Sequence, residues 1–468
     1  MLIRQRTVHR FLASRPVRYC LRRLAARDAS GRALLDRILA EVAGVEKRRW
    51  SHVFFYLFAL IIRLLLKIPR RRAREEIFAN PTYRRALVNL ARSVARYGPT
   101  MPQIFAGPLL VVWNFTNACN LRCRHCYQEA GRHWEDELSL EEQIRIVEEL
   151  AANDVPMLAF SGGEPLLNPN FWPVAERAAR LGFYVSVATN GTLVTPEVAQ
   201  RLREVGVRYV EISLDSAEPE KHDAFRGVPG YWQRAVEGIK NCVATQGLRV
   251  GLAPTVTRQN FHELPRLLDL ARELGVDLFY AFNFVPTGRG RQMAEEDLAP
   301  SEREQFLELL YRTLLRREIG VFCTAPQFGR FCVQKAPESV VITSHYTATQ
   351  GKYARIVAEY VGGCGAGRCY CAVQPNGDVT PCVFLPLVIG NLRSQTLAEI
   401  WEHSPVLAEL RDRSRLRGHC GTCTYRSLCG GCRARAYGYY RDYLAPDPGC
   451  INNLRYWEEL SRTHPTSA

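Results

Sequence analysis

The chain has 468 residues, of which 47% are apolar and 23% charged. This balance excludes a chain too polar to bury a core, and the length allows two or three domains. The formal net charge of +15 is concentrated at one end: residues 1–105 contain 23 Lys and Arg against 6 Asp and Glu, and the remainder is nearly neutral. The basic character therefore belongs to an N-terminal extension. Without a motif that recognises bases, it does not predict a nucleic-acid-binding protein.

The extension at residues 1–105 has a helical pattern without a strand signal. Its most apolar stretch, Val53–Leu66, has basic flanks at 47–49 and 70–72, and it is shorter than the roughly 20 residues that span a bilayer. We expect a basic interfacial helix within 47–74 that contacts the membrane surface. The alternatives are a helix docked on the rest of the protein and, least favoured, a helix that spans the membrane. No signal peptide is present, so we expect a reducing cytoplasmic location, with peripheral contact to the inner face of the membrane if the interfacial helix forms.

From about residue 108 the pattern alternates between short apolar strands and helices. Six strands are predicted, at Leu109–Phe115, Met157–Phe160, Phe183–Ala188, Tyr209–Leu214, Leu248–Val256 and Leu278–Val285. Helix starts are predicted at Ser139, Thr195, Asn260 and Ser301. Six strand–helix units in series predict an α/β fold with a parallel sheet, a partial (β/α)6 TIM-like barrel whose chemistry lies at the carboxyl ends of the strands.

The domain boundaries are predicted from the same patterns. The extension covers 1–105 and the barrel 106–316, followed by an irregular connector at 317–363, a cysteine-rich domain at 364–455 and a tail at 456–468. Twelve of the 16 cysteines fall either in the loop after the first strand or in the cysteine-rich domain. Such clustering favours metal binding over a disulfide framework.

The loop after the first strand contains Cys119, Cys123 and Cys126. Three thiols within eight residues can converge on one metal centre, whereas a structural zinc site closes four ligands. Three thiolates leave one iron of a four-iron cluster open to a ligand. The donor set therefore favours an iron–sulfur cluster with an open coordination position, and zinc with His125 as a fourth ligand is the alternative.

The spacing C-x3-C-x-aromatic-C at this position resembles the motif of the radical S-adenosylmethionine (SAM) superfamily, with His125 in the aromatic position. The second strand ends in Gly162-Gly163-Glu164-Pro165, which resembles the GGE motif of that family. The resemblance implies a [4Fe-4S] cluster on the three cysteines, with SAM bound at the ends of the first four strands. The implied SAM contacts are His125, Gly162, Gly163, Glu164, Asn190, Ser213 and Asp215.

Nine further cysteines lie in the C-terminal region, at Cys364, Cys369, Cys371, Cys382, Cys420, Cys423, Cys429, Cys432 and Cys450. Asn376-Gly377 predicts a tight turn that brings Cys382 back towards the earlier thiols. The pattern resembles the SPASM extension of radical SAM enzymes, whose thiols hold two auxiliary [4Fe-4S] clusters. The resemblance implies one cluster on Cys364, Cys369 or Cys371, Cys382 and Cys432, and a second on Cys420, Cys423, Cys429 and Cys450. A zinc ribbon on the C-x2-C pairs is the alternative, because zinc accepts the same ligands.

The resemblance also implies an activity. It is the reductive cleavage of SAM to a 5′-deoxyadenosyl radical that abstracts hydrogen from a substrate C–H bond, an oxidoreductase-type reaction. A reduced flavodoxin or ferredoxin is the implied electron donor, and no general acid or base is assigned. A non-catalytic iron–sulfur electron carrier is the competing class. The open three-thiol loop and the complete Gly162-Gly163-Glu164 motif argue against a carrier.

The sequence leaves three classes of substrate open. Family resemblance favours a peptide or protein, although many peptide-modifying relatives begin with a strand-containing winged-helix domain and residues 1–105 are helical. The segment Phe282–Arg291 resembles part of the SPASM enzymes that trim side chains of haems and sirohaem. There Arg289 and Arg291 could pair with substrate carboxylates, or they could form a basic surface turn. A membrane lipid or quinone is the third candidate, because Val53–Leu66 is apolar with basic flanks.

Overall fold

The computed structural model of the protein describes residues 9–47, 56, 71, 73–336, 340–343, 347–350 and 354–463. The predicted interfacial helix at Val53–Leu66 lies outside these residues except for Tyr56. Within the described ranges, no helix has both the length and the apolar character needed to cross a bilayer.

The described part of the N-terminal extension is helical, as predicted. It contains α1 Arg15–Ala25, α2 Leu34–Ala43, a π-helix at Ala73–Phe78 and α3 Pro81–Tyr97. Leu24, Ile38 and Val88 pack together in a core separate from that of the barrel. Arg27 pairs with Asp154, on the loop before the second strand, at 2.5 Å. This part of the extension is therefore docked on the barrel.

A parallel sheet forms the centre of the molecule. Its strands in chain order are β1 Leu110–Thr116, β2 Met157–Gly162, β3 Tyr184–Thr189, β4 Val207–Ser213, β5 Arg249–Ala253, β6 Thr255–Val256 and β7 Leu278–Asn283. Neighbours pair in the order β1-β2-β3-β4-β5-β7, and the short β6 pairs with β7. The six predicted strands are therefore confirmed, with the fifth divided into β5 and β6. The helices that follow them are α4 Leu140–Ala152, α5 Phe171–Arg180, α6 Pro196–Glu204, α7 Pro219–Arg226, α8 Tyr231–Ala244, α9 Leu264–Glu273 and α10 Pro300–Arg316.

Two strands that the sequence did not indicate extend this parallel sheet, one at each side. β8 Gly320–Cys323 pairs with β7, and a later strand, Tyr370–Val373, pairs with β1. The predicted irregular connector at 317–363 is therefore wrong. Besides β8 it contains α11 Gln327–Lys335, an antiparallel hairpin of β9 Val340–Thr343 and β10 Thr347–Gln350, and α12 Ala354–Val361. These strands have four residues each, too few for alternation to be recognised.

The cysteine-rich region continues the sheet beyond β1. β11 Tyr370–Val373 turns antiparallel into β12 Asp378–Thr380 and then β13 Gly390–Asn391. Gly377, with φ +88°, occupies the predicted turn between β11 and β12. Trp401 and Leu392 share one continuous core with Val111 of β1, so this region packs directly on the barrel. Its helices are α13 Leu397–His403, α14 Pro405–Arg411, α15 Gly418–Thr422, α16 Arg433–Tyr440 and α17 Leu454–Thr463.

Two of the four predicted helix starts are confirmed. Ser139 caps α4 in a capping box and Thr195 caps α6. The start predicted at Ser301 is wrong, because α10 begins at Pro300, a residue suited to the first helical position. Asn260 does not cap its helix through its side chain. Its amide donates instead to backbone carbonyls after β4 and in β6, at 2.8 and 2.9 Å.

Candidate active site at the carboxyl ends of the strands

A cavity of about 300 Å³ lies inside the curved sheet, with side chains from β1 to β7 on its wall. Cys119, Cys123 and Cys126 all line it, at the end where the parallel strands finish. Strand ends of parallel sheets meet on one edge, so residues distant in sequence converge there. The three predicted thiols therefore face a common space.

The loop that carries Cys119, Cys123 and Cys126, called the thiol loop below, is held in place by backbone contacts and by one arginine. The Cys119 N–H donates to the Gly131 carbonyl at 3.1 Å, which closes the loop on itself. Arg289 was predicted as a partner for substrate carboxylates. In the structure its Nε donates to the Cys123 carbonyl at 2.9 Å and its Nη1 to the Ala130 carbonyl at 2.8 Å. Arg289 therefore lines the cavity and stabilises the thiol loop through these two hydrogen bonds. Arg291 is exposed and lies away from the cavity.

Gly162 and Gly163 form a close contact between the end of β2 and the thiol loop. Gly162 has φ +113°, and a Cβ there would lie 2.8 Å from the Thr116 carbonyl oxygen. A Cβ on Gly163 would overlap the Ala118 carbonyl. Both glycines line the cavity, so backbone rather than side chains forms this wall and a ligand can approach closely.

Glu164 lies behind this wall, away from the cavity. Its carboxylate accepts hydrogen bonds from Thr189 Oγ1 and the Asn190 N–H, both at 2.8 Å, and from the Leu166 N–H at 3.2 Å. Burial raises the pKa of Glu164 to about 7, and these hydrogen bonds offset part of that effect. Glu164 thus ties the end of β2 to the end of β3, and it positions Asn190, which does line the cavity.

The ends of β3 and β4 contribute Asn190 and Ser213 to the cavity. The Asn190 amide donates to Asn120 Oδ1 at 2.7 Å, which links β3 to the thiol loop. The predicted contact Asp215 is buried behind the wall, where it accepts from Arg226 Nε at 2.6 Å. Burial disfavours the Asp215 charge, yet the Arg226 guanidinium leaves the pKa of Asp215 below its usual value. Asp215 therefore reaches the cavity only through Arg226.

Sequence reasoning missed Arg226. Its Nη1 lies 3.7 Å from Cys123 Sγ, and the guanidinium lines the cavity. The residue ends α7, 103 positions after Cys123, and no local motif marks it. Only the folded structure shows that Arg226 is near Cys123, because α7 lies over the end of β4.

His125 is stacked on Phe225, with ring centroids 4.2 Å apart and an interplanar angle of 11°. Burial lowers the pKa of His125 to about 3, with a further contribution from Arg226. The ring is therefore neutral and offers a flat face to the cavity. Its Nδ1 is buried without a hydrogen-bond partner among the described residues.

A second, smaller cavity of about 30 Å³ joins three thiols of the cysteine-rich region, those of Cys364, Cys382 and Cys432. Tyr370 of β11 lines both cavities. Successive side chains of a strand point to opposite faces, so Cys371 faces away from them. Burial raises the pKa of the Cys371 thiol to about 12, and its charged neighbour is Arg411. Neither Cys369 nor Cys371 lines either cavity.

Three of the remaining predicted ligands, Cys420, Cys429 and Cys450, lie near one another. Burial raises the pKa of Cys429 well above its ordinary value, and the neighbouring Cys450 and Cys420 raise it further. Cys420 Sγ also lies 3.8 Å from Arg433 Nη2. Cys423 is half-buried, and its Sγ accepts from the Tyr425 N–H at 3.4 Å.

The arrangement of the thiols at the large cavity is suited to an iron–sulfur cluster. At the large cavity, three thiols on one loop adjoin a wall of glycine backbone. Such a site can hold a cluster through three sulfurs and leave its fourth corner to a ligand.

Comparison with known proteins identifies the family. Residues 113–271 match the model of the Radical SAM superfamily, and residues 364–432 match SPASM, an iron–sulfur cluster-binding domain. The AdoMet-dependent heme synthase of Methanosarcina barkeri is 37% identical over 346 residues, which are 74% of this chain and 96% of the relative. The mycofactocin maturase of Mycobacterium tuberculosis is 32% identical over 349 residues, 74% of this chain and 83% of the relative. The crystal structure of Streptococcus suis SuiB with S-adenosylmethionine has a TM-score of 0.64 at 17% identity, covering 90% of this chain and 92% of SuiB.

Proposed function

Because this chain belongs to the radical SAM superfamily, carries a SPASM domain and is an enzyme of the radical SAM type, we propose that it cleaves SAM at the thiol loop to modify a side chain of a tetrapyrrole. The observation that carries the proposal is the meeting of Cys119, Cys123 and Cys126 with Gly162 and Gly163 at one cavity. When bound there, the cluster and SAM supply a 5′-deoxyadenosyl radical that removes a hydrogen atom from the substrate. The protein contributes binding, orientation and exclusion of water.

The residues around the cavity have distinct roles in this proposal. The two glycines let the methionyl end of SAM lie against backbone, and the neutral His125 ring offers a face to the adenine. Arg226 offsets negative charge on Cys123, and Asp215 holds Arg226 in place. Glu164 acts as a positioning residue for Asn190 rather than as a direct SAM ligand.

We assign the C-terminal thiols to two auxiliary clusters. One set is Cys364, Cys369, Cys382 and Cys432, and the other is Cys420, Cys423, Cys429 and Cys450. Cys369 is preferred to Cys371 because Cys369 precedes β11 and its N–H donates to the Gly365 carbonyl, next to Cys364, whereas Cys371 lies within β11 beside Arg411. Anaerobic reconstitution should then load about twelve irons per chain, four for each of three clusters. Iron near four with bound zinc would remove the auxiliary assignment.

Tetrapyrroles are proposed ahead of peptides because the heme synthase matches at 37% identity along 96% of its own length. The segment Phe282–Arg291, which borders the cavity through Phe282, Phe284 and Arg289, is consistent with this class. Peptide modification is the second candidate, since SuiB has also been crystallised with its precursor peptide. No observation on the described residues favours a lipid or quinone.

The test is a turnover assay under anaerobic conditions. Reconstituted enzyme is reduced and supplied with SAM and iron coproporphyrin III. We expect 5′-deoxyadenosine together with a change in the mass of the porphyrin. If 5′-deoxyadenosine forms and the porphyrin mass is unchanged, the tetrapyrrole proposal is wrong and peptides become the leading class. If no 5′-deoxyadenosine forms, the proposed cleavage of SAM at the loop with Cys119, Cys123 and Cys126 is wrong.

The redox partner and the membrane contact are also proposals. A reduced flavodoxin or ferredoxin is the proposed electron donor, by analogy with the family. The basic residues at 47–49 and 70–72 are proposed to bind an anionic membrane surface. Replacing these six residues by Gln should abolish flotation with anionic vesicles and leave SAM cleavage unchanged. If the wild-type protein does not float, the membrane proposal fails.

A further inference from the structure

The interior of the barrel contains a polar pair that the SAM site does not use. Tyr209 and Glu211 lie on β4 and face the large cavity, on the same side of the strand as Ser213. Because a strand rises about 3.3 Å per residue, Glu211 lies about 7 Å below Ser213, deeper in the barrel. Its carboxyl group is shielded from bulk solvent and open to the cavity.

The residues beside Glu211 on the two adjacent strands are small, which leaves space in front of the Glu211 carboxyl group. Its register partners are Ala188 on β3 and Gly251 on β5, the two smallest residue types. A Cβ on Gly251 would overlap the Tyr209 hydroxyl oxygen and lie 2.8 Å from Tyr209 Cζ. The absence of a side chain at Gly251 therefore leaves space for the Tyr209 ring. The Tyr209 hydroxyl donates to Glu211 Oε2 at 3.3 Å.

Tyr209 occupies only one of the two carboxyl oxygens. No other hydrogen bond to Glu211 is present among the described residues, which leaves Oε1 for a molecule in the cavity. Glu211 is half-buried and lines the cavity, so a molecule bound there can supply the hydrogen-bond partner of Oε1. A ligand that supplies this partner therefore gains affinity from it.

The protonation states of Glu211 and Tyr209 decide which kind of ligand group can bind to Glu211. Burial raises the pKa of Glu211 to about 8, and the Tyr209 hydrogen bond offsets only part of this. At neutral pH the group is mostly a protonated acid, which donates through its O–H. The ionisable side chains around this region are Tyr209 on the same strand, Tyr184 on β3 and Tyr280 on β7. Arg249 on β5 is the register partner of Tyr209 and forms a hydrogen bond with Tyr184. Burial also raises the pKa of Tyr184 and of Tyr209, so both remain neutral.

We propose that Glu211, positioned by Tyr209, binds a carboxylate oxygen of the substrate inside the barrel as a hydrogen-bond donor. The inference rests on the proposed tetrapyrrole substrate, whose side chains end in carboxylates. An O–H···O⁻ hydrogen bond is short and about twice as strong as a neutral one. A neutral donor also receives the anion without a second buried charge. The contact fixes one side chain of the substrate below the SAM end of the cavity.

The test measures binding, independently of turnover. Anaerobically reconstituted full-length enzyme with SAM is titrated against metal-free coproporphyrin III, which has four carboxylates, and against its tetramethyl ester, and fluorescence anisotropy is recorded. Glu211→Ala should weaken binding of the acid about 10- to 100-fold and weaken binding of the ester less, because an ester carbonyl accepts a weaker hydrogen bond than a carboxylate. Glu211→Gln keeps a neutral donor of similar size and should stay within about threefold of wild type. Glu204→Gln, the same change on the exposed face of α6, is the matched control.

Each outcome bears on a defined part of the proposal. If Glu211→Ala binds the acid as wild type does, the inference is wrong. If Glu211→Gln loses as much affinity as Glu211→Ala, a neutral donor at this position is not sufficient, and the donor role of Glu211 is wrong. Tyr209→Phe removes only the positioning hydrogen bond and should cost about 2- to 10-fold. If the wild-type enzyme binds neither probe, the proposed tetrapyrrole substrate is overturned, and this inference falls with it.

Discussion

Replacing Gly163 by Ala tests the contact on which the candidate site depends. A Cβ at this position would overlap the Ala118 carbonyl oxygen and lie 2.7 Å from the Ala118 carbonyl carbon. Carbon atoms in contact are about 3.5–4.0 Å apart, so the backbone segments must separate by about 1 Å. The Gly163 N–H bond to Thr116 and the Glu164 N–H bond to Ala118, both 2.8 Å, span the same gap. Losing both costs about 1–3 kcal/mol.

The displacement acts on Cys119, which follows Ala118 directly. A misplacement of about 1 Å at a reacting centre can lower the rate about 100-fold. We therefore expect Gly163→Ala to retain the auxiliary irons, to lose part or all of the iron at the thiol loop, and to form 5′-deoxyadenosine about 100-fold more slowly. Iron analysis and chromatography of 5′-deoxyadenosine measure these effects.

Gly131→Ala is the matched control in the same loop. A Cβ at Gly131 has no atom within 4 Å, and the residue does not have a positive φ. The control should keep wild-type iron content and wild-type SAM cleavage. If Gly163→Ala behaves like Gly131→Ala, close approach of β2 to the thiol loop is not required, and the structural account of the GGE segment is refuted.

Three further predictions concern single contacts. Cys369→Ser should lower the iron content by about four per chain, whereas Cys371→Ser should not; equal losses would contradict the assignment. Arg226→Met should lower the midpoint potential of the thiol-loop cluster by on the order of tens of millivolts, because removing a nearby cation disfavours the reduced state. Asp215→Asn should raise this potential, because removing the anion favours the reduced state. EPR-monitored titration measures both shifts, and shifts of the same sign would refute the charge argument. Coproporphyrin III affinity should fall as the pH rises through about 8, where Glu211 ionises and repels a carboxylate, and a titration of Glu211→Gln should show no such fall.

The sequence alone was enough to predict those features that depend on residues close together in the chain. Three cysteines within eight residues predict a ligand loop without knowledge of the fold. Ser139 with Glu142 predicts a helix start, which the capping box of α4 confirms. The six strands of the barrel were predicted because each has several apolar residues bounded by turn signals. The connector at 317–363 was not, because β8 to β10 are too short to show a period.

Side-chain direction was decided by tertiary structure. Glu164 follows two glycines as its motif predicts, yet its carboxylate turns to Thr189 and Asn190 once β3 lies beside β2. Asp215 faces Arg226 rather than the cavity. A motif gives the position of such a residue along the chain, while the neighbouring strand supplies the partners that determine where its oxygens point.

What the sequence determined by itself is therefore the chemistry of the ligands and the order of the elements, because both depend on residues close together in the chain. The tertiary structure decided which groups act on those ligands. Arg289 reaches Cys123 across 166 positions and Arg226 reaches it across 103. Tyr209 can donate to Glu211 because Gly251, on the adjacent strand, leaves space for the tyrosine ring. Contacts of this kind form when a curved parallel sheet brings strand ends and interior faces together, and no local pattern specifies them.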